Sequence, residues 1–285
     1  MATLIQTLQS VLNEKDPLLP PETKRIILKE VLQAHVLDYL YNHPTYRRLN
    51  FYGGTCLHVV YGLNRLSEDL DFDNQTGVDL SALARDVAQY FQASFALGGA
   101  ATKTQMGAGG ILRVTVKFPV LSALGLSSHA NEVLPLKIEV SPQSQVAIIQ
   151  HTPVLVYGRS LVAAHFSLET MMAGKMLACL ERNFESGRRG AQIKGRDFYD
   201  LLWFMQQRVR PLDEKLARDG QRPYTVQTAM MTLRGKIVRF SARDLAIDLL
   251  PMFESRPYID AWLEAFHDNF ESLVQPYLSP DQPRE

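Results

Sequence analysis

The chain of 285 residues has two cysteines, Cys56 and Cys179. They form no ligand pattern and imply no disulfide framework. A reducing compartment suits that usage. No apolar run approaches the roughly 18 residues that a spanning helix needs, and the chain does not open on a basic-then-apolar signal pattern. The expectation is therefore a cytoplasmic protein with no membrane partner. The seven histidines show no metal-ligand spacing, and His43 and His58 read as surface or core residues. Net charge is also missing, because 30 Lys and Arg balance 30 Asp and Glu. That zero hides an asymmetry. Arg182 to Arg243 holds fourteen Lys/Arg against six Asp/Glu, and the remainder is acidic to match. A basic stretch of this kind suits a polyanion, and solvated helix faces are the plainer alternative.

What is present divides into two halves. The first 40 residues read as helical, with Pro17, Pro20 and Pro21 separating a short helix from a longer one. Leu49–Tyr52 reads as a strand. A helix over 79–97 follows, with Asp79 placed to cap it and Gly98-Gly99 to stop it. Strands are expected over Ile111–Phe118, Val133–Val140 and Val154–Tyr157. From about residue 165 the pattern is helical throughout: 167–183, 197–207, 213–218, 223–236, 242–253 and 258–275. The expected fold is α+β and two-lobed. A mixed sheet with helices occupies 1–165, and a helical lobe completing the active site occupies 166–285.

The chemistry concentrates between Phe51 and Asn74. Gly53-Gly54-Thr55 follows the first strand and opens a helix. Glycines there let the backbone approach a bulky anion, and the N–H groups of the next helix point at it. Asp69 and Asp71 leave the same face of a strand, while Leu70 and Phe72 take the other. Two like charges side by side are costly unless a cation sits there. Hard oxygen ligands beside a phosphate cradle suit Mg²⁺ and a nucleoside triphosphate (NTP). Glu139, in the alternating run Leu136 to Val140, is the natural third carboxylate. Three acids would hold two Mg²⁺ roughly 3.5–4 Å apart. The competing reading of Glu139 is a cross-strand ion pair.

Other residues complete the constellation. Arg65 reads as reaching a phosphate or the third carboxylate, and Ser67 as satisfying a turn. Cys56 reads as a small packing residue. Lys175 lies in an otherwise apolar helix, where it must snorkel or meet an anion such as a triphosphate. Arg188 to Arg196 forms a glycine-rich basic loop suited to nucleic-acid backbone. Asp197 reads first as an N-terminal helix acid.

The order Gly53-Gly54-Thr55-x-Leu57, Arg65-x-Ser67-Glu68-Asp69-Leu70-Asp71-Phe72, Lys137-Ile-Glu139, Lys175-x-x-x-Cys-Leu-x-Arg182 and Lys194-Gly-Arg196-Asp197-x-Tyr199-Asp200-Leu201 resembles the AbiEii/AbiGii (MenT-type) toxin family of nucleotidyltransferases. The likeness covers roughly residues 25 to 210. It implies Mg²⁺-dependent transfer of nucleotides from an NTP, with tRNA 3′ ends as acceptor in better understood members. It also implies a toxin neutralised by a cognate antitoxin. By position, Asp69 and Asp71 match the metal pair, Lys175 the nucleotide-binding lysine, and Asp197 an essential acid that orients Lys175 or the acceptor. Two departures stand out. Cys56 takes the place of a small residue such as Ala, and Glu139 is one methylene longer than Asp. The rivals are nucleotidylation of a protein or small molecule, and a nucleotide-binding regulator without turnover.

Overall fold

The structure, a computed structural model, describes residues 3–95, 100–142, 145–182 and 194–278. The chain packs into two compact units. The first comprises residues 1–144 and 149–165; the second comprises 145–148 and 166–285.

The first unit opens with helices α1 (Leu4–Asn13) and α2 (Pro21–Asn42). Thr3 caps α1 through a capping box with Gln6, and Pro21 occupies the first turn of α2, where its missing N–H costs nothing. Then come β1 (Asn50–Tyr52), α3 (Gly53–Tyr61), β2 (Asp69–Asp73), α4 (Leu83–Phe95), β3 (Ala101–Met106), β4 (Leu112–Phe118), β5 (Leu134–Ser141), β6 (Ile149–Val156) and β7 (Arg159–Phe166). The seven strands form one mixed sheet in the order β3-β4-β5-β2-β1-β7-β6. β2 runs antiparallel to β1 and parallel to β5, with Asp69 opposite Lys137 and Asp71 opposite Glu139. Leu70 and Phe72 are fully buried, and Phe72 stacks on Phe51 at 5.3 Å. Alternation thus sends the aspartates to the opposite face.

Two expectations need correction here, and one strand was not foreseen. The 79–97 helix starts at Leu83, because Asp79 instead caps a tight turn by accepting from Ser81 N (2.9 Å). Its expected stop at Gly98-Gly99 lies outside the described residues. The single strand at Val154–Tyr157 is half of the β6–β7 hairpin, which turns at Tyr157 (φ +45°) and Gly158 (φ +73°). β3 was missed, because Ala-Thr-Lys-Thr-Gln-Met is a largely exposed edge with no apolar alternation.

The second unit is helical: α5 (Leu168–Glu181), α6 (Gly195–Gln206), α7 (Asp213–Arg218), α8 (Val226–Ile237), α9 (Ala242–Leu249), α10 (Arg256–Glu264) and α11 (Phe266–Leu278). The helix expected over 258–275 is two helices, with Ala265 capping α10. Trp262, Phe266 and Phe270 are the apolar anchors of that pair. Among the described residues, no helix is long and apolar enough to cross a membrane.

Candidate active site

Phe51 locks β1 into the core, and the chain turns at Gly53 with φ +81°. Only glycine tolerates that value cheaply. A Cβ at Gly53 would also collide with the Asp71 carboxylate. The glycine therefore lets Asp71 lie directly against the N-terminus of α3. That terminus has no side-chain cap and no acid in its first turn. Its partial positive charge favours an anion. A Cβ at Gly54 would meet Arg65 Nη2 at 2.6 Å and Ser67 Oγ at 3.0 Å. The second glycine is thus needed for what lies beneath the turn.

Thr55 is fully buried. Its hydroxyl donates to the Asp69 carbonyl (2.5 Å) and shares a hydrogen bond with Ser67 Oγ (2.8 Å). The side chain therefore joins α3 to β2, and only the backbone of Thr55 remains for a phosphate. Arg65 is 3% exposed and donates to the Leu66 carbonyl (2.9 Å). Its guanidinium lies beneath the glycine turn, beside Gly54. Ser67 is held by Glu30 and Gln33 of α2, through its N–H (3.3 Å) and carbonyl (3.1 Å). Burial first, and then the Asp71 charge, push the Cys56 thiol up, so Cys56 is a packing residue and no nucleophile.

Asp69 and Asp71 are each partly exposed on the sheet face. Lys137 Nζ lies 3.9 Å from Asp69 Oδ1. Glu139 sits opposite Asp71 in register, yet its carboxylate accepts from Arg113 Nε at 2.9 Å. Arg113 is its direct neighbour on β4. Among the described residues, no group of three or more His, Cys, Asp or Glu is gathered as a metal centre. In this structure Glu139 makes the cross-strand ion pair, and among the described residues it is not gathered with Asp69 and Asp71 into one group. Sequence reasoning missed Arg113, because its partner lies 26 residues away on another strand.

In the second unit, Ser167 caps α5 by accepting from Thr170 N (3.3 Å). Lys175 projects from α5 onto two buried acids of α6. Its Nζ lies 2.8 Å from both Asp197 and Asp200. Arg182 also pairs with Asp197. Burial raises the Asp197 pKa, but Lys175 and Arg182 outweigh it and hold the carboxyl below its ordinary range. Asp197 thus positions Lys175 as well as serving in the first turn of α6. The sequence reading gave Asp200 no role, though its i,i+3 spacing from Asp197 puts both on one helix face. Gly195 is required too, since a Cβ there would overlap the Leu245 carbonyl of α9. Arg196 faces Asp248 at 3.7 Å. Arg188 and Arg189, the core of the expected basic loop, lie outside the described residues.

A glycine turn opening a helix, an Asp-x-Asp strand beside it and a following helical unit define a nucleotidyltransferase. The model of the AbiEii nucleotidyl transferase toxin family, type IV toxin–antitoxin system, matches residues 36–282, and the chain belongs to that family. The chain is similar to the crystal structure of JHP933 from Helicobacter pylori (TM-score 0.50, 19% identity, 89% of this chain and 91% of that one). It is also similar to an H. pylori protein provisionally described as a nucleotidyltransferase (TM-score 0.49, 18% identity, 88% and 93%). At such identity the likeness to JHP933 speaks for the fold. No curated protein matches the chain.

Proposed function

We propose that this nucleotidyltransferase is a toxin that transfers a nucleotide from an NTP to an RNA acceptor, with the 3′ end of tRNA as the favoured target and a cognate antitoxin as its partner. The observation that carries the reading is the placement of Asp71. Its carboxylate lies against Gly53 at an uncapped helix N-terminus, with Asp69 on the same strand face. Anion-attracting backbone and cation-attracting carboxylates are thereby adjacent, as a metal–triphosphate complex requires.

On this reading Asp69 and Asp71 hold Mg²⁺, and the oxygen donor set fits that ion. When bound, Mg²⁺ neutralises triphosphate charge and makes an acceptor hydroxyl easier to deprotonate. The amides after Gly53 face the β and γ phosphates. The acceptor hydroxyl attacks the α-phosphorus, a new P–O bond forms, and pyrophosphate leaves. Glu139 joins as a further ligand only if Arg113 releases it. Lys175 is assigned to triphosphate oxygens, in the position set by Asp197 and Asp200. Its assignment rests on the family likeness and on its charge.

The test is to incubate the protein with each labelled NTP, Mg²⁺ and total RNA, and in parallel with cell lysate. Label in the tRNA band, abolished by Asp71→Asn, is the expected result. Label on a protein band alone would replace the acceptor class. No label on any acceptor would favour a nucleotide-binding regulator. Asp71→Asn labelling at the wild-type rate would refute the metal assignment.

A further inference from the structure

At the opposite end of β1 from Gly53, the first unit contains a cavity of about 620 Å³. That is a size typical of small-ligand sites. Its polar lining comes from five segments, of which α2 gives Tyr41 and Asn42. Arg47 and Arg48 lie on the 3-10 turn before β1, Asn50 begins β1, Gln75 and Thr76 follow β2, and His151 lies on β6. No Asp or Glu is among the lining residues.

Three features mark it as built for an anion. First, Arg47 and Arg48 are exposed, and neither makes an ion pair with any described residue. Two adjacent guanidiniums at the mouth of a cavity attract an anion. Second, Asn50 is only 4% exposed, yet its side-chain amide makes no hydrogen bond to any described residue. Asparagine is a poor strand former, so a polar amide at this cavity-lining position has no local structural reason. A ligand in the cavity would find hydrogen-bonding groups there. Third, the rim is rigid. Asn74 accepts from Val78 N (2.7 Å) and donates to Val78 O (2.9 Å), while Gly77 takes φ +63°. Thr76 Oγ1 donates to the Arg48 carbonyl (3.3 Å), tying the rim to the arginine turn.

We propose that this cavity is a second anion site, one that binds a phosphate-bearing ligand of nucleotide size without a metal. Arginine forks match phosphate oxygens in pairs, and the Asn50 amide offers donors and an acceptor to the ligand. The phosphate could belong to a free nucleotide or to a polynucleotide, so the probes separate the two. The site does not depend on the carboxylate pair, and its test is independent of nucleotide transfer.

The experiment is titration calorimetry on the full chain in EDTA, with ATP and with a single-stranded ribotetranucleotide as probes. At least one probe should bind. Arg47→Ala/Arg48→Ala should weaken that binding about tenfold or more, as expected for lost charge-assisted hydrogen bonds. Asn50→Ser should weaken it several-fold. Asp71→Asn should leave it within about twofold, because that carboxylate belongs to the other end of the strand. The tighter probe identifies the source of the phosphate. Thermal unfolding of the arginine double variant should match wild type, since both side chains are exposed. The proposal is overturned if neither probe binds, or if the arginine double variant binds as wild type does. It is equally overturned if Asp71→Asn markedly tightens binding, which would place the anion at the glycine turn. None of those results would touch the transfer assay, which alone decides the catalytic reading.

Discussion

Replacing Lys175 by Met removes the cation that Asp197 and Asp200 share while keeping an unbranched side chain. Asp200 is fully buried and Asp197 is 4% exposed. Removing one partner from a buried ion pair costs about 3–5 kcal/mol, because the other charge is left in a low-dielectric site. Arg182 still answers Asp197, so most of the loss falls on Asp200. The expected destabilisation at pH 7 is about 4 kcal/mol. Both tryptophans, Trp203 and Trp262, lie in the helical unit, so urea unfolding followed by their fluorescence reads the unit concerned. The pH dependence carries a sign. In the native protein the depressed Asp197 pKa contributes stability above the unfolded value near 3.9, and that stability is lost as pH falls through the folded value. In the variant, burial acts with less opposition and the carboxyl moves up. The deficit should therefore narrow as pH falls into the carboxylate range. Lys175→Met/Asp200→Asn should recover much of the stability, since the buried acid is neutralised as the lysine is lost. That double variant then makes nucleotide affinity measurable in a folded protein. A loss below about 1 kcal/mol for Lys175→Met would refute the view that this cluster joins α5 to α6.

Gly53→Ala imposes the left-handed penalty of about 1–2 kcal/mol and displaces Asp71, so transfer should fall far more than stability when both are measured on one preparation. Gly195→Ala should do the reverse: it forces α6 from the Leu245 carbonyl, and a large drop in the unfolding midpoint is expected. Burial, and then the Arg159 guanidinium, push His35 down to about 4, so it stays neutral while folded. Stability is therefore lost as pH falls from 6.5 toward 4, by up to about 3 kcal/mol, and His35→Leu should flatten that acid limb in urea titrations at pH 7 and 5.

The legible parts of this chain were those whose signal is local. Gly53-Gly54-Thr55 and Asp69-Leu70-Asp71-Phe72 carry their geometry in adjacent residues: a turn that needs glycine, and a strand whose alternation separates acid from core. The same holds for Asp213–Arg218 and for Pro21 at the start of α2. β3 was illegible because an edge strand with little burial need not alternate. The β6–β7 hairpin was half legible. Its turn depends on Tyr157 at φ +45°, a position that β-turn chemistry normally gives to Gly or Asn.

Glu139 shows where local reading stops. Its alternation with Lys137 placed it on the aspartate face, and parallel pairing with β2 does set it opposite Asp71. But its charge has a second claimant on the other side. β4 brings Arg113 into register with Glu139, and its Nε donates to the carboxylate at 2.9 Å. Neither fact follows from the Leu136–Val140 run. A half-exposed ion pair of this kind is worth on the order of 0–1 kcal/mol, little enough for a multivalent competitor to displace. Asp69 and Lys137, at 3.9 Å, are coupled more loosely still. The face thus carries basic partners for its acids, Lys137 near Asp69 and Arg113 on Glu139, and a multivalent cation binding there would have to displace them.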